Sequence, residues 1–135
     1  MKIRTEVRST MAQELIAAMA AGSTNPNPLM EVYEGSEPAS MGQTISDTLL
    51  GTLTLTDTVA TEWDGIINFL SITQDSAADA SGTAGWCRIL NRDGEEVVYF
   101  SISDDGSGDI DFNTTSIVAG APIAISSLQV IVGGA

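Results

Sequence analysis

Histidine is missing from this 135-residue chain, and cysteine occurs once, at Cys87. The first absence removes Ser-His-Asp triads, His-liganded zinc, haem ligation and imidazole acid–base catalysis. The second leaves no internal disulfide and no thiolate cluster. Basic residues are scarce: Lys and Arg number 5 against 18 Asp and Glu, a net charge of −13. A nucleic-acid binder needs cations along a phosphate backbone, so no nucleic-acid partner is expected. Aromatics make up 5%, a thin supply for lining a sugar cleft. No apolar run reaches the ~18 residues that span a bilayer, and no continuous apolar stretch follows residues 1–8 as a secretory signal requires. The expectation is a soluble protein made in a cytoplasm, with no membrane partner.

What is present is enough for one core. Hydrophobic residues make up 43% and mean hydropathy is +0.15, which at this length supports a single domain without staples. The charge is unevenly placed. Lys2, Arg4 and Arg8 against Glu6 give residues 1–8 a balance of +2, while the remainder, with Arg88 and Arg92, stands at −15. A basic start on an acidic body reads as an arm over 1–9 that docks on an acidic neighbour, or as an amphipathic first strand with solvated ends.

One helix is predicted, over 10–22. Thr10 with Gln13 three positions on matches a capping box, and Met11, Leu15, Ala18 and Met19 form an apolar stripe. Gly22 and the STNPNP turn at 23–28 stop it. From Leu29 the period becomes two. Strands are predicted over 29–33, 50–56, 66–73, 84–91, 95–103, 110–112 and 123–132, the last with a bulge at Ser126-Ser127. Residues 84–91 and 95–103 form a hairpin through Asn91-Arg92-Asp93-Gly94. Seven or so short strands with Gly, Asp, Ser and Pro turns indicate an antiparallel β-sandwich over 29–135, jelly-roll-like or generic, with the helix covering one open edge.

Chemistry-bearing constellations are weak. Residues 104–111 (DDGSGDID) offer hard oxygen ligands to Ca²⁺ but lack EF-hand spacing; a solvated turn uses the same residues. Glu62, Asp64, Asp104 and Asp111 could supply a glycosidase pair, yet no spacing selects one. Cys87, inside a predicted strand and with no histidine to activate it, reads as a buried hydrophobe. The glycines of 82–85 enter a strand, not a helix, so they cradle no phosphate. Trp86 either stands on the core face or is a half-exposed anchor. Trp63, before Asp64-Gly65, is either rim packing or a partner contact. The expectation is a non-enzyme with no cofactor and no metal, contacting partners through Lys2, Arg4, Arg8, Trp63, Arg88 and Arg92.

Five stretches carry a resemblance: MEVYEGSEP at 30–38, LLGTLTL at 49–55, GTAGWCRI at 82–89, NTTSIVAG at 113–120 and IAISSL at 123–128. Behind a short helix, this order is similar to a family of small tailed-bacteriophage proteins from the head or tail modules. The phrases are structural and include no catalytic signature. The resemblance implies a place in a virion assembled in the host cytoplasm, with the major capsid protein or other virion proteins, and copies of itself, as partners. The leading expectation is a capsid decoration (cement) protein bound outside the shell. The alternatives are a tail- or fibre-associated receptor-binding module and a glycan-degrading enzyme.

Overall fold

The helix begins five residues before the expected cap. In the computed structural model, which describes residues 1–133, α1 runs Thr5–Ala20. Residues 134 and 135, the end of the segment expected to reach Ala135, lie outside the described residues. Arg4 takes the N-cap position and makes no side-chain cap bond. Thr10, the expected cap, instead donates its hydroxyl back to the Glu6 carbonyl from mid-helix. Tertiary contacts hold the early turns: Ser9 and Gln13 both donate to Glu62 Oε1, at 2.6 and 3.0 Å. Two expectations are corrected. The arm over 1–9 shrinks to the four residues before α1, and the inward stripe is Ala12 and Met19, buried, with Leu15 and Ile16 half-buried, while Met11 and Ala18 are exposed. Gly22 does follow the helix end, with φ +107°.

The remainder is mainly β, with two mostly antiparallel sheets in a β-sandwich-like arrangement. The strands are β1 (Leu29–Glu34), β2 (Leu49–Thr54), β3 (Ala60–Trp63), β4 (Ile66–Phe69), β5 (Gly82–Leu90), β6 (Glu96–Ser103), β7 (Ile110–Asp111), β8 (Ser116–Ile117) and β9 (Gln129–Ile131). The large sheet is ordered β2-β1-β5-β6-β7, with β8 attached to the start of β5, and among the described residues only β6 and β7 pair in parallel. The small sheet is β3-β4-β9. The β5–β6 hairpin is the expected one. Its loop is fixed by Asn91, whose Oδ1 accepts from the amides of Asp93 and Glu95.

Alternation decides what each sheet buries. On β1, Met30 and Val32 point inward with Leu53 of β2, Cys87 and Ile89 of β5 and Phe100 of β6, the registers setting them side by side. Ala60, Ile67 and Val130 supply the inner face of the small sheet, and α1 packs beside β3 and β4 with Ala12 and Met19 fully buried. All belong to one apolar cluster. Cys87 is 0% exposed, and burial pushes its thiol pKa up.

Two strand expectations fail for identifiable reasons. Residues 66–73 do not continue as one strand, because Leu70 turns to bond Val59 and Thr73 pairs alone with Thr54. Residues 123–132 break where a bulge was expected at Ser126-Ser127: Ile123 is clamped to Asp75 and only 129–131 join β4. Strands β3 and β8 were not expected.

Candidate functional site

The six expected contact residues divide cleanly. Arg88 is held within its own sheet. Its Nε donates to Glu31 at 2.6 Å and its Nη1 to Glu96 at 2.9 Å, while its guanidinium lies 5.7 Å from the Tyr33 ring centre. Burial alone would lower its pKa, but the hydrogen bonds to Glu96 and Glu31 outweigh that and raise it. Arg92 is likewise engaged, its Nε donating to the Asn25 carbonyl. Asp93 beside it accepts from the amides of Ser23 and Thr24, so the 23–28 turn is tied to the hairpin tip. Arg8 lies inside α1, donates from Nε to the Val132 carbonyl at 3.2 Å and rests on Gly65. These three arginines are bonded within the chain, so less of each is left to offer a partner. The charge count could not reveal this, because each has a partner 57 to 124 residues away.

Lys2, Arg4 and Trp63 are exposed. Arg4 meets Glu6 at 3.6 Å with both side chains in solvent, a pair of little energetic weight. Trp63 sits at the end of β3, where Asp64 and Gly65 make a two-residue turn with φ of 53° and 82°. Both positive angles suit the tight hairpin turn, in which glycine carries no Cβ penalty. Trp63 is 71% exposed. Register places Trp63 opposite Ile66 and Ile66 opposite Ile131, so the three form a row on the outer face of the small sheet. Ile131 is 60% exposed.

Ile3 and Arg8 both lie against Gly133, where an added Cβ would meet each at 3.2 Å. The N-terminal residues therefore leave the body at the end that carries the Asp64-Gly65 turn. Lys2 and Arg4 share that end with Trp63 and Ile131. Sequence reasoning missed Ile66 and Ile131; the available signal was the Asp-Gly pair between TEW and IIN, which marks a hairpin and fixes who faces Trp63.

Trp86 takes neither expected place. It is 0% exposed yet lies on the outer face of the large sheet, stacked on Tyr33 at 4.6 Å and edge-on to Tyr99 at 5.1 Å. The loop from Gly35 to Thr48 covers it, and its Nε1 donates to Asp47 at 2.9 Å. Tyr33 is pushed up to about 12, by burial first and then by Glu31. Glu96 is held below its usual range by the Tyr99 hydroxyl first and then by Arg88. The opening beside this loop is about 200 Å³, below the span of ordinary ligand sites.

Several of the carboxylates are occupied with local structure. Asp111 accepts from Ser103 Oγ and the Gly106 amide, Asp105 from Ser107, and Asp109 from the Ser101 amide. Among the described residues no three His, Cys, Asp or Glu side chains converge as a metal site. Glu62 accepts from Ser9, Gln13 and the Gly65 amide. Its pKa is lowered, by the Ser9 hydroxyl first. A carboxylate with a depressed folded pKa stabilises above its unfolded pKa, and that stability goes as pH falls through the folded value. Glu62→Gln should therefore lower the urea midpoint at neutral pH, and the difference from the parent should close on acidification. A constant difference down to about pH 2 would show that Glu62 is not charged through these contacts.

Compared with family models, with curated proteins and with solved structures, the chain has no significant match in any of the three.

Proposed function

We propose that this protein is a non-enzymatic structural component of a tailed-bacteriophage particle, a decoration protein attached outside the major capsid shell in many copies. The observation that carries this reading is the exposed row of Trp63 and Ile131 on the outer face of the small sheet, at the end where Ile3 brings the basic N-terminal residues against Gly133, on a body of net charge −13. Self-repulsion at that charge keeps free copies soluble and apart. Attachment must then draw on complementary charge and on buried apolar surface, and this end offers both. The resemblance to small phage proteins supports a particle as the destination. Repeated copies on a symmetric shell would let a small contact per copy stabilise the whole by mass action.

The test uses particles depleted of the protein and then refilled. Wild type should load in hundreds of copies over the head and raise the temperature at which the particle fails. Trp63→Ala should weaken loading by about 2 kcal/mol per contact, the scale of an interface aromatic anchor. Lys2→Glu with Arg4→Glu should weaken it further at low salt, and the effect should fade as the Debye length shrinks below ~10 Å. A handful of copies at one vertex or the tail tip would overturn decoration in favour of a tail- or fibre-associated module. Polysaccharide turnover abolished by one carboxylate-to-amide change would overturn both.

A further inference from the structure

We infer that the free edge of β9 is a self-association site, at which a second copy of this chain pairs antiparallel about Val130 to join two small sheets into one of six strands. Strand β9 is the last strand of the β3-β4-β9 sheet. Phe69 donates to the Leu128 carbonyl and Val132 to the Gly65 carbonyl. By the alternation of an antiparallel ladder, the main-chain groups of Gln129 and Ile131 then point away from β4. Among the described residues these groups have no hydrogen-bond partner, and both residues are exposed. Natural edges are guarded by charge, proline or a bulge. None of these guards lies on β9.

Charge selects the occupant. All 23 charged residues of the chain lie between Lys2 and Asp111, and residues 112–135 contain no charged side chain. Two copies of a −13 protein repel wherever their acidic faces meet. The uncharged C-terminal segment carrying β9 is where they approach with least repulsion. Centring the pair on Val130 sets Ile131 against Gln129 of the second copy, so the outward main-chain groups of both strands are satisfied. The two-fold axis runs through the sheet, so both outer faces stay on one side. The Trp63-Ile66-Ile131 row of one copy then continues into Gln129, Asn68 and Thr61 of the other. Pairing along the edge leaves Trp63 uncovered, but Ile131 belongs to both surfaces, so Gln129→Pro, outside the attachment row, is the variant that separates pairing from shell attachment.

Two three-residue strands make a small contact, and the dissociation constant is expected at about 1–100 µM. Sedimentation of the isolated full chain should show a monomer–dimer equilibrium in that range. Added salt should tighten it by screening the repulsion, opposite in sign to the salt effect on shell attachment. Ile131→Lys, which puts a charge on the edge, should weaken dimerisation at least tenfold with unchanged circular dichroism. Gln129→Pro, which removes an outward amide, should do the same. In the parent protein the Gln129 and Ile131 amides should exchange more slowly at high concentration than at low. A parent that stays monomeric up to about 100 µM would overturn the inference. So would a trimer or larger ring, or a dimer that both variants and the exchange pattern leave unaltered.

Discussion

Alanine at Gly85 is expected to cost about 3 kcal/mol of folding stability. Tyr33 of β1 faces Trp86 and Glu34 faces Ala84, so Gly85 is the unpaired extra residue between them. A Cβ there would run into the main-chain carbonyl of Gly35. Both sides of that collision are backbone, so no rotamer change relieves it. The two strands must separate instead, at the point where the 35–48 loop leaves the sheet. Gly94→Ala is the control: φ is +79° but nothing lies within 4 Å of the added atom, so only backbone strain of about 1 kcal/mol applies. Urea titration of the two variants checks the order. If Gly85→Ala is as mild as Gly94→Ala, the crossing is looser than described.

Trp86→Ala should lower stability by about 3–5 kcal/mol, a midpoint shift on the order of 10–20 °C for a domain of this size. The indole is fully buried between Tyr33, Tyr99 and the covering loop, and its loss also strands Asp47 without its indole donor. Trp86→Phe should retain the stacking and lose about 1–2 kcal/mol with the hydrogen bond. Fluorescence separates the two tryptophans. Trp63→Phe should leave a blue-shifted emission from Trp86, and Trp86→Phe a red-shifted one from Trp63. The opposite assignment would contradict their burial.

Local patterning carried most of the large sheet into view. Strands β1, β5 and β6 stand close to where alternation placed them, because each buries one face against the same core. The NRDG loop was legible because the angles it needs are local. The misses are residues whose conformation is set from far along the chain. Thr10 looks like a cap, but the helix extends to Thr5 and Ser9, inside it, donates its hydroxyl to Glu62. Arg8, Arg88 and Arg92 look like free cations until Val132, Glu31 and Asn25 come within reach. Trp86 is buried by a loop whose Gly, Pro and Ser content suggests only a connection. Residues 123–132 keep an apolar pattern on either side of Ser126-Ser127, yet Asp75 takes Ile123 out of line. At the candidate site, Trp63 was visible as an aromatic at a turn. Its neighbour Ile66 follows from the local Asp64-Gly65 hairpin, but Ile131 needed the register of β4 with β9, which sets it opposite Ile66 from 65 residues away.

Cys87, at the centre of the large sheet and the sole thiol, turns the protein into its own clock of opening. A thiol reagent reaches it only through molecules that have transiently exposed their interior, so the labelling rate counts those excursions. An opening free energy of about 5 kcal/mol slows the reaction on the order of 10³–10⁴-fold relative to the unfolded chain. A loose loop or a fraying helix end leaves that rate untouched. Parting β5 from its neighbours raises it directly.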